Sequence, residues 1–417
     1  MVRASALYIS LIISLLIVLV CGAMLMTTYI YRMQDRKAVR MQLLKRNLSS
    51  ARELLLLDSF PSDTLEKLSL FGEQQDSVLL EKRTWGVYQT GIIRAWVGAD
   101  SVAQAIMMGT VPADTLQVFY LADEDRPVSI SGKSKITGTA YLPKSGIKAA
   151  YVEGRGYEDR TLVYGSIKDS GRELELPAGR DFSDLADWMQ EMLRRARQEG
   201  KPGINPDVSC SFLEPVKWVY QGAVARVGEG QQLSGQVILA ADSAITVQAG
   251  ARLEHAILIA PYIRIEEGFT GRLQALATDS IVTGAQVQLK YPSALVVLKP
   301  DTAGFQARLS MGKDCLVEGP LIAWEKQRSE LMPLLQIGEG TLVKGELWSK
   351  GYVTLAKNAA VNGSVTAIRL MARVSGAIYE NYLIDVKLDR TRLSRYYLST
   401  GFLNGGALKQ KILCRLN

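Results

Sequence analysis

The chain is almost without histidine and sparing with cysteine. Its one histidine, His255, excludes by count a metal site built on clustered histidines, and any Ser-His-Asp triad would have to use this single residue. His255 lies within "LEHAILIA", a strand-like run with no nucleophile signature beside it, and it reads as a strand histidine. The four cysteines, Cys21, Cys210, Cys315 and Cys414, are too scattered to give metal-ligand spacing or a disulfide framework. Phosphate-cradling loops are missing as well. "GEGQQLSG" and "GEGTLVKG" have neither the strand–loop–helix setting nor the GK[ST] ending. Aromatics interleaved with basic residues, the pattern of a base-stacking platform, are also missing, so no nucleic-acid partner is expected. Catalytic, cofactor-binding and metal-ligating residues are therefore all assigned as none, and the chain is not read as an enzyme.

Charge is missing too, in one place. From Ala4 to Tyr31, 28 consecutive residues carry none. About 20 suffice to cross a bilayer as a helix, and no small-residue cleavage site follows. This is expected to be a retained single-pass anchor, with membrane lipid as its partner. Arg32, Arg36, Lys37, Arg40, Lys45 and Arg46 follow directly and contribute much of the net charge of +7. Counted literally they place the rest of the chain in the cytoplasm. A long following domain and dedicated export weaken that rule, and an extracytoplasmic, periplasmic location is the first reading. Beyond the span, Ile30, Met33, Met41, Leu44, Leu48, Ala51 and Leu55 recur at helical spacing. Two readings stand: a span followed by a separate amphipathic helix, or one continuous stalk.

What the sequence has in plenty is repetition. "IGEGTLVKGELWS" from Ile337 returns as "LAKNAAVNGSVTA" from Leu355, matching Val343 with Val361 and Gly345 with Gly363. "ISGKSKITGTAYLP" from Ile130 matches again, Ile136 on Val343, Gly138 on Gly345 and Ala140 on Leu347. Three 18-residue blocks start at Gly235, and they align Ile245, Ile263 and Ile281, as well as Ala240, Leu258 and Leu276. "YPSALVVL" and "GPLIAW" read as further turns, interrupted by "EKQRSELMPLLQ". A short apolar period with Gly, Asn and Asp at corners suits a β-helix, in which inward residues stack on their counterparts one rung up.

The fold class is thus mainly β, a solenoid with rungs of about 18 residues preceded by a transmembrane helix and helical stalk. The expected order is anchor and stalk over 1–58, with the span at about 4–31; a small β-rich (α/β) domain over 59–127; a first rung segment over 128–180; one amphipathic helix over 181–200; the solenoid over 201–376; and a C-terminal cap over 377–417. The helix is marked by Phe182, Leu185, Met189, Met192, Leu193 and Ala196 on one face, acidic residues at its start, Arg194, Arg195 and Arg197 at its end, and a stop at Gly200 and Pro202. Those arginines read as a solvated helix end. Asp242 and Asp279, with Glu266 and Glu267, are the one place where paired carboxylates could act on a glycosidic bond. Corner aspartates that bond their own turn explain the same residues.

Two resemblances follow from these stretches. The repeats of Val227 to Met371, with Ile130 to Leu142, resemble those of bactofilin-type polymer-forming β-helices, which implies a scaffold; the insertions depart from that pattern. "RASALYISLIISLLIVL" resembles the N-terminus of minor pseudopilins of the tip kind, from type II secretion or type IV pilus systems. In that likeness Ala4 takes the place of the glycine before the processing site and Ser5 the first mature position. Ile9 stands where an acidic residue is usual, a lack that suits a tip subunit. The resemblances imply a membrane-anchored bacterial envelope protein that works by assembly, with protein partners or its own copies. The alternatives are a membrane-bound cytoplasmic scaffold and a β-helical polysaccharide enzyme.

Overall fold

In the computed structural model, the structure describes residues 2–57, 59–71, 76–112, 117–174, 180–203, 207–301, 304–374, 376–403 and 409–416, with the side chains of 2–5 outside that set. The boundary at residue 58 and the side chains of Ala4 and Ser5 therefore lie outside the described residues. The molecule is mostly β. It opens with one long apolar helix, and a second helix is inserted further along. Its residues gather into two compact units, the first of 1–55, 64–81 and 92–104 and the second of 56–63, 82–91 and 105–417.

Helix α1, Val2–Leu55, is unbroken over 54 residues, about 80 Å at 1.5 Å per residue. The continuous stalk is thus the reading that holds. In the first unit Leu44, Ala51 and Leu55 are buried along with Val78, Leu80, Ile93 and Ala95. The upstream part of the same stripe, Ile30, Met33 and Met41, is exposed. A five-stranded sheet runs in the order Thr64–Leu68, Asp76–Trp85, Tyr88–Val97, Asp100–Thr110, Gln410–Leu416. Its middle strands are joined by two-residue turns at Gly86 and Gly98, both with positive φ, a connection only antiparallel strands can use.

The second unit is dominated by strands that pair in parallel with the matching strand of the next repeat along the chain, each such repeat being called a coil. Ala225, Ile245, Ile263, Ile281, Leu309, Leu335, Val353 and Leu370 form one column. All eight are buried, because alternate residues of each strand face the same side. The step is 18 residues between Ile245, Ile263 and Ile281, but 28 to Leu309 and 26 to Leu335. The excess falls between the strands Ala294–Lys299 and Arg308–Ser310 and between Leu321–Glu325 and Leu334–Ile337. Val343 pairs with Val361 and Gly345 with Gly363, as the repeat predicts. A Cβ on Gly363 would land on the carbonyl oxygen of Gly345, and one on Gly345 on that of Gly319. Glycine is fixed there by the close approach of successive coils.

One alignment from the repeat is off by a residue. Ala240 pairs with Ile259 rather than Leu258, and Leu258 with Ala275. The cause is a β-bulge between Glu254 and Ala256, where His255 takes a left-handed φ of 62° and adds one residue to its coil.

The early segment and the late one interleave. After Val361 the column continues to Leu388 and then back to Ile136; after Val365 it goes to Phe119 and Ala140. Leu383 likewise pairs with Ile130, which pairs with Ala149. Residues 117–127, expected in the small β-rich domain, therefore supply a strand to the stack. Residues 377–417, expected as a cap, supply Lys387–Asp389 inside it, while Gln410–Leu416 joins the five-stranded sheet along Asp100–Thr110. At the end of the stack it is Tyr157 and Leu162, from the chain following Ala149, that pack against its core.

Candidate functional site

Two kinds of surface could carry function: the bare length of α1, and the side chains with chemical potential in the second unit.

From Leu7 to Met26 nearly every large side chain of α1 is open, Leu15 at 58% and Leu25 at 73%. An 18-residue window of this helix reaches a mean hydropathy of 2.9, and none of it is buried. It is long and apolar enough to cross a membrane. The pattern explains the exposure: apolar residues run all round the helix up to Tyr31 and contract to a stripe beyond it.

The chemically capable side chains are packed into the architecture. His255 gives its backbone carbonyl to the indole N–H of Trp85 at 3.2 Å; its ring stands edge-on to Phe212 with Nε2 3.4 Å from Glu254, its Nδ1 meets no donor or acceptor among the described residues, and burial lowers its pKa below the usual value. Asp242 accepts from the Tyr220 hydroxyl at 2.5 Å and from Arg197 at 2.8 Å. The hydroxyl and the guanidinium hold its carboxyl below the ordinary carboxylate range, the wrong direction for a general acid. Asp279 accepts from its neighbour Ser280 and lies two coils from the Asp242 corner, since Ala244, Tyr262 and Ser280 are consecutive partners. Glu266 lies at another corner, its N–H donating to Val247 and its carbonyl accepting from Phe269; Glu267 follows it, exposed. The structure does not bring these carboxylates together as a pair. Arg194 and Arg195 bond Glu191 within the helix, and Arg197 holds Asp242. That helix, α2, runs Phe182–Glu199 with Asp181 as N-cap and Gly200 as C-cap.

All four cysteines are free thiols. Burial raises the Cys210 pKa and pushes Cys414 up to about 11, which keeps both in the unreactive form. Among the described residues no group of three or more His, Cys, Asp or Glu side chains is placed to hold a metal ion.

Two buried polar arrangements escaped the sequence reading. Lys299 and Glu325 are register partners, both 2% exposed and 3.6 Å apart. Lys299 also donates to Ser329 and to the Leu331 carbonyl, and Glu325 accepts from Ser329, so the pair fastens the 326–333 segment. Laying "ALVVLK" on "LIAWE" in register would have put the two charges together. The second is Glu346, buried beneath the Ser399 hydroxyl. Burial raises its pKa, and Tyr88 and Tyr397 are buried around it.

One outer face of the stack is as dry as its interior. Val237–Ala240, Ala294–Lys299 and Leu321–Glu325 are buried at every position. Phe182 of α2 covers part of it, stacked on Trp348 at 5.0 Å and on Phe402 at 5.4 Å. The hairpin tip at Gly86 is held there by Gln274, which accepts from the Val87 N–H at 2.9 Å and donates to the Trp85 carbonyl at 3.0 Å.

No protein-family model matches the chain, and no curated protein matches it. Among solved structures, the competence-associated pilin ComZ from Thermus thermophilus is similar to it at 10% identity and a TM-score of 0.27, over 92% of this chain and 96% of that one.

Proposed function

We propose that this protein is a non-catalytic, membrane-anchored subunit of the bacterial envelope. In this reading the apolar half of α1 lies in the inner membrane and the stack, a β-helical solenoid, is displayed on the extracytoplasmic side, in the manner of a pseudopilin. The observation that carries it is the bare first half of α1. Its leucines and isoleucines have no protein cover, and an apolar surface of that length is stable only in lipid or against other apolar helices. The β-helical reading rests on the parallel register, with the same buried column advancing coil by coil. The non-catalytic reading rests on the packing of the His255 ring, the contacts that hold Asp242 at its turn and the burial of Cys210 and Cys315. Membrane lipid and envelope proteins, or further copies of the chain, are the partners it implies.

A second reading has its own observation. The cations from Arg32 to Arg46 directly follow the apolar run, and by the positive-inside rule they favour a membrane-bound cytoplasmic scaffold of the bactofilin type. Membrane fractionation with sided labelling separates the two. Cys210 and Cys315 are buried, so the reporter is Ser145→Cys, at an exposed position, in a chain with Cys21 and Cys414 replaced by serine. A membrane-impermeant maleimide that labels spheroplasts before lysis supports the periplasmic reading. Labelling only after lysis supports the scaffold, and recovery in the soluble fraction overturns both.

A further inference from the structure

The first unit contains a cleft of about 380 Å³ beside the stalk, and among its lining are two buried acceptors that no cation of the described residues pairs with. Asp76 opens the strand Asp76–Trp85 and is 7% exposed. Its carboxylate accepts from the Asn47 amide at 3.1 Å and the Ser69 hydroxyl at 2.7 Å, and no lysine or arginine among the described residues pairs with it. Asn47 is 1% exposed. With its amide N–H given to Asp76, its own Oδ1 faces no donor. A buried carboxylate without a counter-charge and an orphaned acceptor on the same wall are each costly. Together they ask for one group: a cation that donates several hydrogen bonds.

The rest of the cleft says how that cation must be carried. Val39, Leu43, Phe71 and Val97 make apolar walls, and Phe71 is backed by the Arg46 guanidinium 3.6 Å from its ring centre. The nearby Arg40 is occupied by Asp100 at 2.6 Å. Apolar walls beside a pair of acceptors match an aliphatic stem with an ammonium at its tip. A metal ion would not use the apolar walls in this way, and a planar guanidinium fork suits a carboxylate with both oxygens free better than Asp76, whose two oxygens each already accept a donor. The structure assigns this cleft as a receptor for a lysine side chain brought by a partner polypeptide, whose ammonium bonds Asp76 and the Oδ1 of Asn47.

The test uses the full chain in deuterated detergent micelles and saturation-transfer NMR with three millimolar probes. These are Nα-acetyl-lysine N-methylamide, Nα-acetyl-norleucine N-methylamide, which lacks the ammonium, and norleucine N-methylamide with a free α-amino group. Saturation on the ε-methylene of the lysine probe is expected, with neither norleucine probe matching it. It should be lost in Asp76→Asn and in Val39→Trp, which plugs the mouth from an exposed helix position, and kept in Asp242→Asn. Circular dichroism checks folding; should Asp76→Asn unfold, Val39→Trp decides. Equal signal from either norleucine probe, no signal from the lysine probe, or its persistence in Val39→Trp overturns the assignment.

Discussion

Helix α1 and the parallel stack are the two most apolar regions of the molecule, and they dispose of their apolar side chains in opposite ways. The stack turns them inward along columns such as Ile245–Ile263–Ile281 and covers most of those that point outward on one face. The first half of α1 covers none. Hydrophobicity alone does not distinguish the two; pattern does. A period of two along strands, repeated by the coil, gives each apolar residue a neighbour from its own chain. A helix apolar on all sides has no such neighbour and needs an outside medium.

The sharpest way to break that contrast is truncation. Removing residues 1–31 is expected to give a soluble, folded, β-rich protein. Removing 1–58 would also strip Leu44, Ala51 and Leu55, all fully buried, and is expected to leave the first unit unfolded and the product aggregating. Solubility and circular dichroism check both. A soluble, fully folded 59–417 fragment would show that the second half of α1 is as dispensable as the first.

Within the stack, Val361→Asp places a charge in a dry column and should cost about 4 kcal/mol or more in urea denaturation. Lys344→Ala, on the outward side, loses only a half-exposed pair with Glu318 and should cost less than about 1 kcal/mol. Comparable losses would mean that inside and outside have been confused. Phe182→Ala tests whether the covered outer face is a true second core. The ring is 1% exposed among Trp324, Trp348 and Phe402, and its loss should cost about 3 kcal/mol; a silent substitution would make α2 a mere surface fixture.

The smallest effect concerns Glu346. Its folded pKa is raised by burial, so the native state holds the proton more tightly than the unfolded chain. Its contribution to stability is full below the ordinary glutamate pKa and is lost as pH rises through the raised folded value. Glu346→Gln should flatten that decline and melt higher than the parent at alkaline pH. An unchanged pH profile would show that the carboxyl is not the titrating group.

Much of this was legible in the sequence because stacking writes itself as repetition. The 18-residue match of Val343 with Val361 became a register pair. The early copy at Ile136 and Ala140 entered the same columns as Val343 and Leu347. Helix α2 was bounded to within a residue by Asp181 and Gly200. What could not be read was order in space. Nothing local to "ISGKSKITG" says that its neighbours are residues 382–389, because a parallel ladder bonds whichever strand arrives. The His255 bulge hid for a similar reason: one extra residue in one coil is cancelled in the next. The acceptor pair at Asn47 and Asp76 is invisible without the fold, since the two residues sit 29 apart on a helix and a strand.

The interleaving has a consequence for biosynthesis. The Lys133 amide bonds the Asp385 carboxylate across 252 residues, and Ile136 waits for Leu388 over a similar stretch. At roughly 5–20 residues per second, the segment around Val128–Leu142 leaves the ribosome about 10–50 s before its partner strand exists. For that interval it offers unpaired backbone edges to any chain nearby. Slowing translation after residue 142 lengthens that interval and should raise aggregation, and a general holdase chaperone should relieve it.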